Sequence, residues 1–151
     1  MRTSSVTGSG KKLKTTHEEN QAKRSNSGNS RGRISVVGIG PGSLEHLTPK
    51  ALSEIEAADI VVGYGTYIKL IQSIVRKGAE VVSGTMGKEV ERAKIAVEKA
   101  SEGKRVVIVS SGDPGVYGMA GIVLEVAAQQ KTPIPVEIVP GVTAATAASS
   151  I

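Results

Sequence analysis

A chain of 151 residues with 39% hydrophobic side chains is long enough for one domain with a hydrophobic core, and with no cysteine and two histidines (His17, His46) it excludes disulfides and thiolate chemistry, so no metal site is expected. No stretch approaches the roughly 18 consecutive apolar residues of a membrane-spanning helix, and no signal-peptide core opens the chain, which points to a cytoplasmic protein without a membrane partner. The net charge of +5 sits in residues 1–32, where seven basic residues meet two acidic ones; residues 33–151 carry 12 of each, and with 2% aromatic content no nucleic-acid partner is expected.

Residues 1–32 are rich in Ser, Thr, Asn, Gly and Lys, with too few apolar side chains to offset the entropy of ordering, and read as a disordered basic leader. Gly8-Ser9-Gly10-Lys11-Lys12 is not a phosphate loop, because Ser5 and Lys12 stand where that motif needs Gly and Ser or Thr. From Arg33 on, short apolar runs alternate with longer amphipathic segments, the pattern of βαβ units. Strands are predicted at residues 34–37, 59–62, 80–82, 105–110 and 135–139. The run Val106-Val107-Ile108-Val109 has no polar alternation and is predicted to be a central strand buried on both faces. The first helix starts where Thr48 can cap and Pro49 takes the first helical position, and it ends near Asp59. Further helices are predicted over residues 67–75, 88–102 and 118–130. The second of these puts Val90, Ala93, Val97 and Ala100 on one stripe and stops at Gly103. The expected fold is α/β, a mostly parallel five-stranded sheet with helices on both faces.

In such a sheet, ligands bind beyond the carboxyl ends of the strands, and three strand-to-loop transitions there are glycine-rich. They are Gly38-Ile39-Gly40-Pro41-Gly42, Ser111-Gly112-Asp113-Pro114-Gly115 and Pro140-Gly141-Val142-Thr143-Ala144. The first has the opening of a dinucleotide fingerprint, but Ser43 replaces the third glycine and the helix begins too late to aim at a pyrophosphate, so NAD binding is the lesser alternative. Asp59 lies near the spacing of a ribose-binding carboxylate, yet its place at the start of a strand favours a structural role. In the second loop the Asp113 side chain can accept from following backbone N–H groups while Pro114 fixes φ. A Gly-Asp-Pro turn alone also reads as a helix-capping turn.

Together these loops, with Leu47-Thr48, resemble the tetrapyrrole (corrin/porphyrin) methylase family over residues 33–151. Gly63-Tyr64-Gly65-Thr66-Tyr67-Ile68, the stretch from Met86 to Ala93, and especially Gly115-Val116-Tyr117-Gly118-Met119-Ala120 resemble its precorrin-3B C(17)-methyltransferases. The resemblance implies S-adenosylmethionine held in a cleft, mostly by backbone, at Pro41, Ser111, Gly112, Asp113, Val116, Thr143 and Ala144. It also implies methylation of a tetrapyrrole substrate at carbon 17 with ring contraction, on a precorrin or cobalt-precorrin, without a catalytic metal. The catalytic base is unassigned: where some relatives have an acidic residue, Tyr64 stands. Tyr64, Tyr67 and Lys88 are candidate substrate-side groups, each also readable as a packing tyrosine or a solvated lysine. His46 reads as a surface loop residue, with contact to a substrate propionate as its alternative.

Family members are half as long again or more, with a second α/β domain closing over the cofactor. The expectation is therefore an N-terminal methylase domain whose second domain is missing, with a homodimer or a partner chain supplying it. The rival reading is a non-catalytic fragment or an interaction subunit.

Overall fold

A computed structural model describes residues 31–149. The leader reading lies outside these residues except for Arg31 and Gly32, and Gly32 belongs with the body. It is buried, and a Cβ there would run into the Ala100 carbonyl and stand 2.8 Å from that of Lys104.

Five strands, β1 (Arg33–Gly38), β2 (Ile60–Tyr64), β3 (Glu80–Gly84), β4 (Arg105–Ser110) and β5 (Val136–Val139), form one sheet in the order β3-β2-β4-β1-β5, with every pairing parallel. Five α-helices follow them: α1 (Pro49–Ala57), α2 (Gly65–Ile71), α3 (Glu89–Ser101), α4 (Ala120–Ala128) and α5 (Ala144–Ala148), with a 3-10 turn at Leu44–His46. The expected parallel α/β architecture is what forms. From β1 the chain steps twice toward one edge, to β2 and β3, then returns to β4 and β5. Right-handed crossovers put α1 and α2 on one face and α3 and α4 on the other.

The uninterrupted apolar run of β4 is explained by its neighbours. Val106 and Ile108 lie in register with Ile34 and Val36 of β1 and with Ile60 and Val62 of β2, facing Ala93, Ala96, Val97 and Ala100 of α3 and Val123 and Val126 of α4. Val107 and Val109 turn the other way, with Val37 and Val61, toward Ala51 and Ile55 of α1 and Ile68 and Ile71 of α2. Each such side chain, fully buried, contributes about 1.5–3 kcal/mol. Small residues on α3 let that helix lie close to the sheet. Thr48 caps α1 as expected, its hydroxyl accepting from the Ala51 N–H at 3.2 Å.

Two helix ends and one buried stripe depart from the sequence expectation in ways that packing explains. Helix α2 ends at Ile71, four residues early: Ile74 and Val75 still pack on the α1 face, but the chain turns away, and Arg76 reaches back to the Ala58 carbonyl and the Asp59 carboxylate. Helix α4 begins at Ala120 because Gly118 is packed against Pro114, where a Cβ would stand 2.6 Å from the carbonyl oxygen. On α3, Val90 is exposed and the stripe is carried by Ala93, Ala96, Val97 and Ala100, with Arg92 buried beside them.

The amino edge of the sheet is closed by ion pairs. Asp59 accepts from the backbone N–H of Arg105 at 3.0 Å, from its guanidinium at 3.2 and 3.3 Å, and from Arg76 at 3.0 Å. The Arg105 bonds hold its carboxyl below the usual range. That is the structural role, and it lies at the end of the sheet opposite the glycine loops. Glu54 of α1, 5% exposed, accepts from Ser35 at 2.8 Å, Arg33 at 3.0 Å and Lys50 at 2.7 Å. Burial pushes its pKa up, but the Lys50 and Ser35 hydrogen bonds and the Arg33 charge outweigh it, and the net shift is downward.

Candidate functional site

Parallel strands bring all their carboxyl ends to one edge, and β4, β1 and β5 are neighbours, so the three glycine loops adjoin. The chain leaves β1 for the face of α1 and leaves β4 for the face of α4, so at the boundary between these adjacent strands the connections part to opposite faces of the sheet. There the loops pair backbone to backbone. The Gly112 N–H donates to the Gly40 carbonyl at 2.8 Å, and the Gly40 N–H to the Gly112 carbonyl at 3.2 Å. Both residues sit in the left-handed region, at φ 72° and 58°, where a side chain would be strained.

The loop after β5 is fastened to the same assembly. One Asp113 carboxylate oxygen accepts from the Gly115 N–H at 2.8 Å, the other from the Gly141 N–H at 3.1 Å. Gly38, Gly112 and Gly141 meet so closely that a Cβ on Gly38 would stand 2.5 Å from the Gly112 carbonyl oxygen, and one on Gly141 would collide with the same atom. Gly112 also lies beside the start of α5: a Cβ on it would stand in ordinary contact, 3.7 Å from the Thr143 Cα and 3.8 Å from the Ala144 nitrogen.

An open crevice of about 650 Å³ lies alongside, lined by Pro41 and His46 from the first loop and by Val142, Ala144, Thr146 and Ala147 from the third. Its volume suits a small organic ligand. Of the residues expected to bind a cofactor, Pro41 and Ala144 line this crevice, and Gly112 and Thr143 adjoin each other beside it. Ser111 and Val116 are exposed on the second loop and do not line it. The Asp113 side chain is turned to the backbone of its own and the third loop. Thr143 caps α5, its hydroxyl accepting from the Thr146 N–H at 3.3 Å.

The candidate substrate-side groups lie further along the same edge. Tyr64 ends β2, half-buried and edge-on to Tyr67 with ring centroids 5.2 Å apart, the packing alternative for both. Lys88 is exposed and paired with Glu91 at 2.9 Å, the solvated-lysine alternative. These residues are not brought into the crevice. The dinucleotide alternative fares poorly: α1 begins only at Pro49, and the Gly40 N–H, which a pyrophosphate would need, is spent on Gly112.

Two features were not anticipated. Arg92, 5% exposed, donates to the Thr85 carbonyl at 2.7 Å and to Glu89 at 3.0 Å, fixing the turn after β3; its i,i+3 spacing from Glu89 was the available signal. Tyr117 stands fully exposed with a left-handed backbone, φ 52°, on the second loop. Nothing local in the sequence marks that conformation.

The family model for tetrapyrrole (corrin/porphyrin) methylases matches residues 33–151. A probable cobalt-factor III C(17)-methyltransferase from Salmonella typhimurium is 45% identical over 118 residues, covering 78% of this chain and 48% of that protein. Among solved structures, the methyltransferase CobJ is 37% identical with a TM-score of 0.74, over 79% of this chain and 50% of that one. Uroporphyrin-III C-methyl transferase from Thermus thermophilus, solved with S-adenosyl homocysteine, is 30% identical with a TM-score of 0.66, over 78% of this chain and 48% of that one. The chain thus spans about a quarter to a half of the length of the curated relatives it matches. No described helix is long and apolar enough to cross a membrane. With the family's match running through all three paired loops and the sheet that carries them, this chain belongs to the tetrapyrrole (corrin/porphyrin) methylases.

Proposed function

We propose that this chain provides the S-adenosylmethionine-binding half of a C-methyltransferase of cobalamin biosynthesis that methylates carbon 17 of a precorrin-3B or cobalt-containing tetrapyrrole with contraction of the ring. The observation that carries the reading is the joining of three glycine loops from adjacent strands at one divergence point of the sheet. The relatives named for methylation at carbon 17 support the position, and the subfamily-like string from Gly115 to Ala120 supports the ring contraction.

The residues present fit such a cofactor. Gly112, in its left-handed conformation, presents backbone without a side chain beside Thr143 and Ala144, and the neighbouring crevice has His46 as its one ionisable lining side chain. No lysine or arginine of that lining repels a sulfonium. The cofactor would be held by Pro41, by the backbone of Ser111, Gly112 and Asp113, by Val116, and by Thr143 and Ala144. When bound, it supplies a methyl group already activated by the positive sulfur. The protein's task is then alignment, which a rim of mutually bonded backbone performs without reorganising.

The test is a calorimetric titration of the chain with S-adenosylhomocysteine and with NADH, followed by transfer of labelled methyl to cobalt-factor III. Saturable binding of the first and not the second is expected; preferential NADH binding, or binding of neither, refutes the reading.

A further inference from the structure

Asp113 stands in the loop expected to touch the cofactor, yet both oxygens of its carboxylate are turned to protein backbone. We propose that Asp113 is a positioning residue, a latch whose carboxylate sets the spacing between the loop after β4 and the loop after β5, and so the place of Thr143 and Ala144 beside Gly112 at the rim of the crevice that Ala144 lines. This rests on the cofactor reading above.

The geometry makes the latch directional. The bond to the Gly115 N–H at 2.8 Å spans two residues and fixes how the carboxylate is turned. Pro114, buried between them, has no N–H to compete and a fixed φ. The second oxygen is thereby aimed at the Gly141 N–H, 28 residues away and 3.1 Å distant. Gly141 can come that near because neither it nor Gly38 carries a Cβ, which would collide with the Gly112 carbonyl. One side chain therefore ties together two loops that meet otherwise through close backbone packing. Two residues beyond the latched amide is Thr143, whose Cα lies 3.7 Å from where a Gly112 Cβ would be. Movement of the third loop at Gly141 is passed over two peptide units to Thr143 and over three to Ala144, which lines the crevice.

Asn in place of Asp keeps one acceptor but turns an NH₂ toward the other N–H, so it preserves one bond of the two. Charge-assisted bonds are about twice as strong as neutral ones.

The test compares Asp113→Ala and Asp113→Asn with the wild-type chain, by residue-resolved amide hydrogen exchange and by S-adenosylhomocysteine titration, at a temperature where each is folded. In Asp113→Ala, exchange is expected to accelerate at Gly115 and Gly141 and to stay unchanged at Gly40 and Gly112, which hold each other. Affinity is expected to fall about ten- to a hundredfold, and Asp113→Asn to fall between. Uniform acceleration at all four amides, or unchanged exchange at Gly141, overturns the latch. If the wild type binds and Asp113→Ala binds as tightly, the link from latch to crevice is overturned. Absence of binding in the wild type refutes the cofactor reading instead, while the exchange pattern still decides the latch. Should Asp113→Ala fail to fold, Asp113→Asn carries both readouts.

Discussion

Replacing Gly38 by Ala is expected to destabilise the domain by about 2–4 kcal/mol, far more than the loss of one glycine ordinarily costs. Gly38 ends β1 without a left-handed backbone, so the cost comes from crowding alone. The added Cβ would stand 2.5 Å from the Gly112 carbonyl oxygen, 2.8 Å from the Gly141 nitrogen and 2.8 Å from the Pro114 Cδ. Two of these are backbone and the third is a buried ring, so no flexible side chain can give way. Restoring ordinary contact at 3.4 Å means moving the Gly112 carbonyl by about 0.9 Å. That carbonyl accepts the Gly40 N–H at 3.2 Å, a bond the movement breaks. Overpacking costs about 1–3 kcal/mol and the lost hydrogen bond about 0.5–1.5 more. For a body of this size the melting temperature should fall by about 10 °C or more, read by circular dichroism. Gly78→Ala is the control. Gly78 has φ 88° and nothing within 4 Å of an added Cβ, so it should lose only the roughly 1–2 kcal/mol of a left-handed backbone. A Gly38→Ala protein melting within about 3 °C of wild type, or above Gly78→Ala, would refute the packing account of the three loops.

The same structure sets further outcomes. Glu54 and Asp59 have depressed pKa values, so their stabilisation is complete above the unfolded values of 4.5 and 3.8 and is lost as pH falls through the lower folded values. The urea midpoint should hold from pH 7 to about 5 and drop below about 4.5, with Glu54→Gln reducing the drop; a midpoint constant down to pH 3 would contradict this. Gly121, exposed near the start of α4 with open space around it, should gain up to about 1 kcal/mol when changed to Ala, and a loss in the urea midpoint would count against its helical placement. Tyr117→Asn should be neutral or stabilising by up to about 1 kcal/mol, since Asn tolerates the left-handed backbone and the exposed ring contributes no packing; destabilisation beyond about 1 kcal/mol would show that the ring is bound to the body.

The sheet was legible because its signals are local. An apolar run without alternation means burial on both faces, and Val106 to Val109 obey it. Thr48-Pro49 starts α1 through a cap its own sequence contains. What was not legible depends on partners distant in the chain. Apolar spacing continues from Ile71 to Val75, but the helix stops where Arg76 turns back to a carboxylate 17 residues earlier. Glu54 and Arg92 sit on apolar stripes, and only Ser35 and Arg33, or the Thr85 carbonyl, make their burial affordable. The glycine loops were visible as composition. Their pairing was not, since Gly40 meets Gly112 and Asp113 meets Gly141 only after the strands take the order β4-β1-β5.

The two ends of the sheet divide the work. At the amino edge, Asp59 joins β2 to Arg105 and Arg76, and Glu54 joins α1 to Arg33 and Lys50, so charge is matched within the fold. At the carboxyl edge the three glycine loops are joined by backbone groups and one carboxylate, Arg92 with Glu89 and Lys88 with Glu91 pair beside β3, and several apolar side chains stay exposed. Of the eight large hydrophobic residues exposed among the described residues, Leu44, Met86, Val90, Val116 and Tyr117 lie on the loops or helix start that follow β1, β3 and β4. Exposed apolar side chains gathered beside the glycine loops add nothing to the stability of an isolated fold. Apolar surface left in water is stabilised when something covers it. In the reading proposed here that covering is the ligand and the remainder of the binding cleft, with the backbone rim providing alignment and the outward side chains providing selectivity. Substitutions at Val116 or Tyr117 should therefore alter substrate preference at little cost to folding, whereas substitutions at Gly38 or Gly141 should cost folding first.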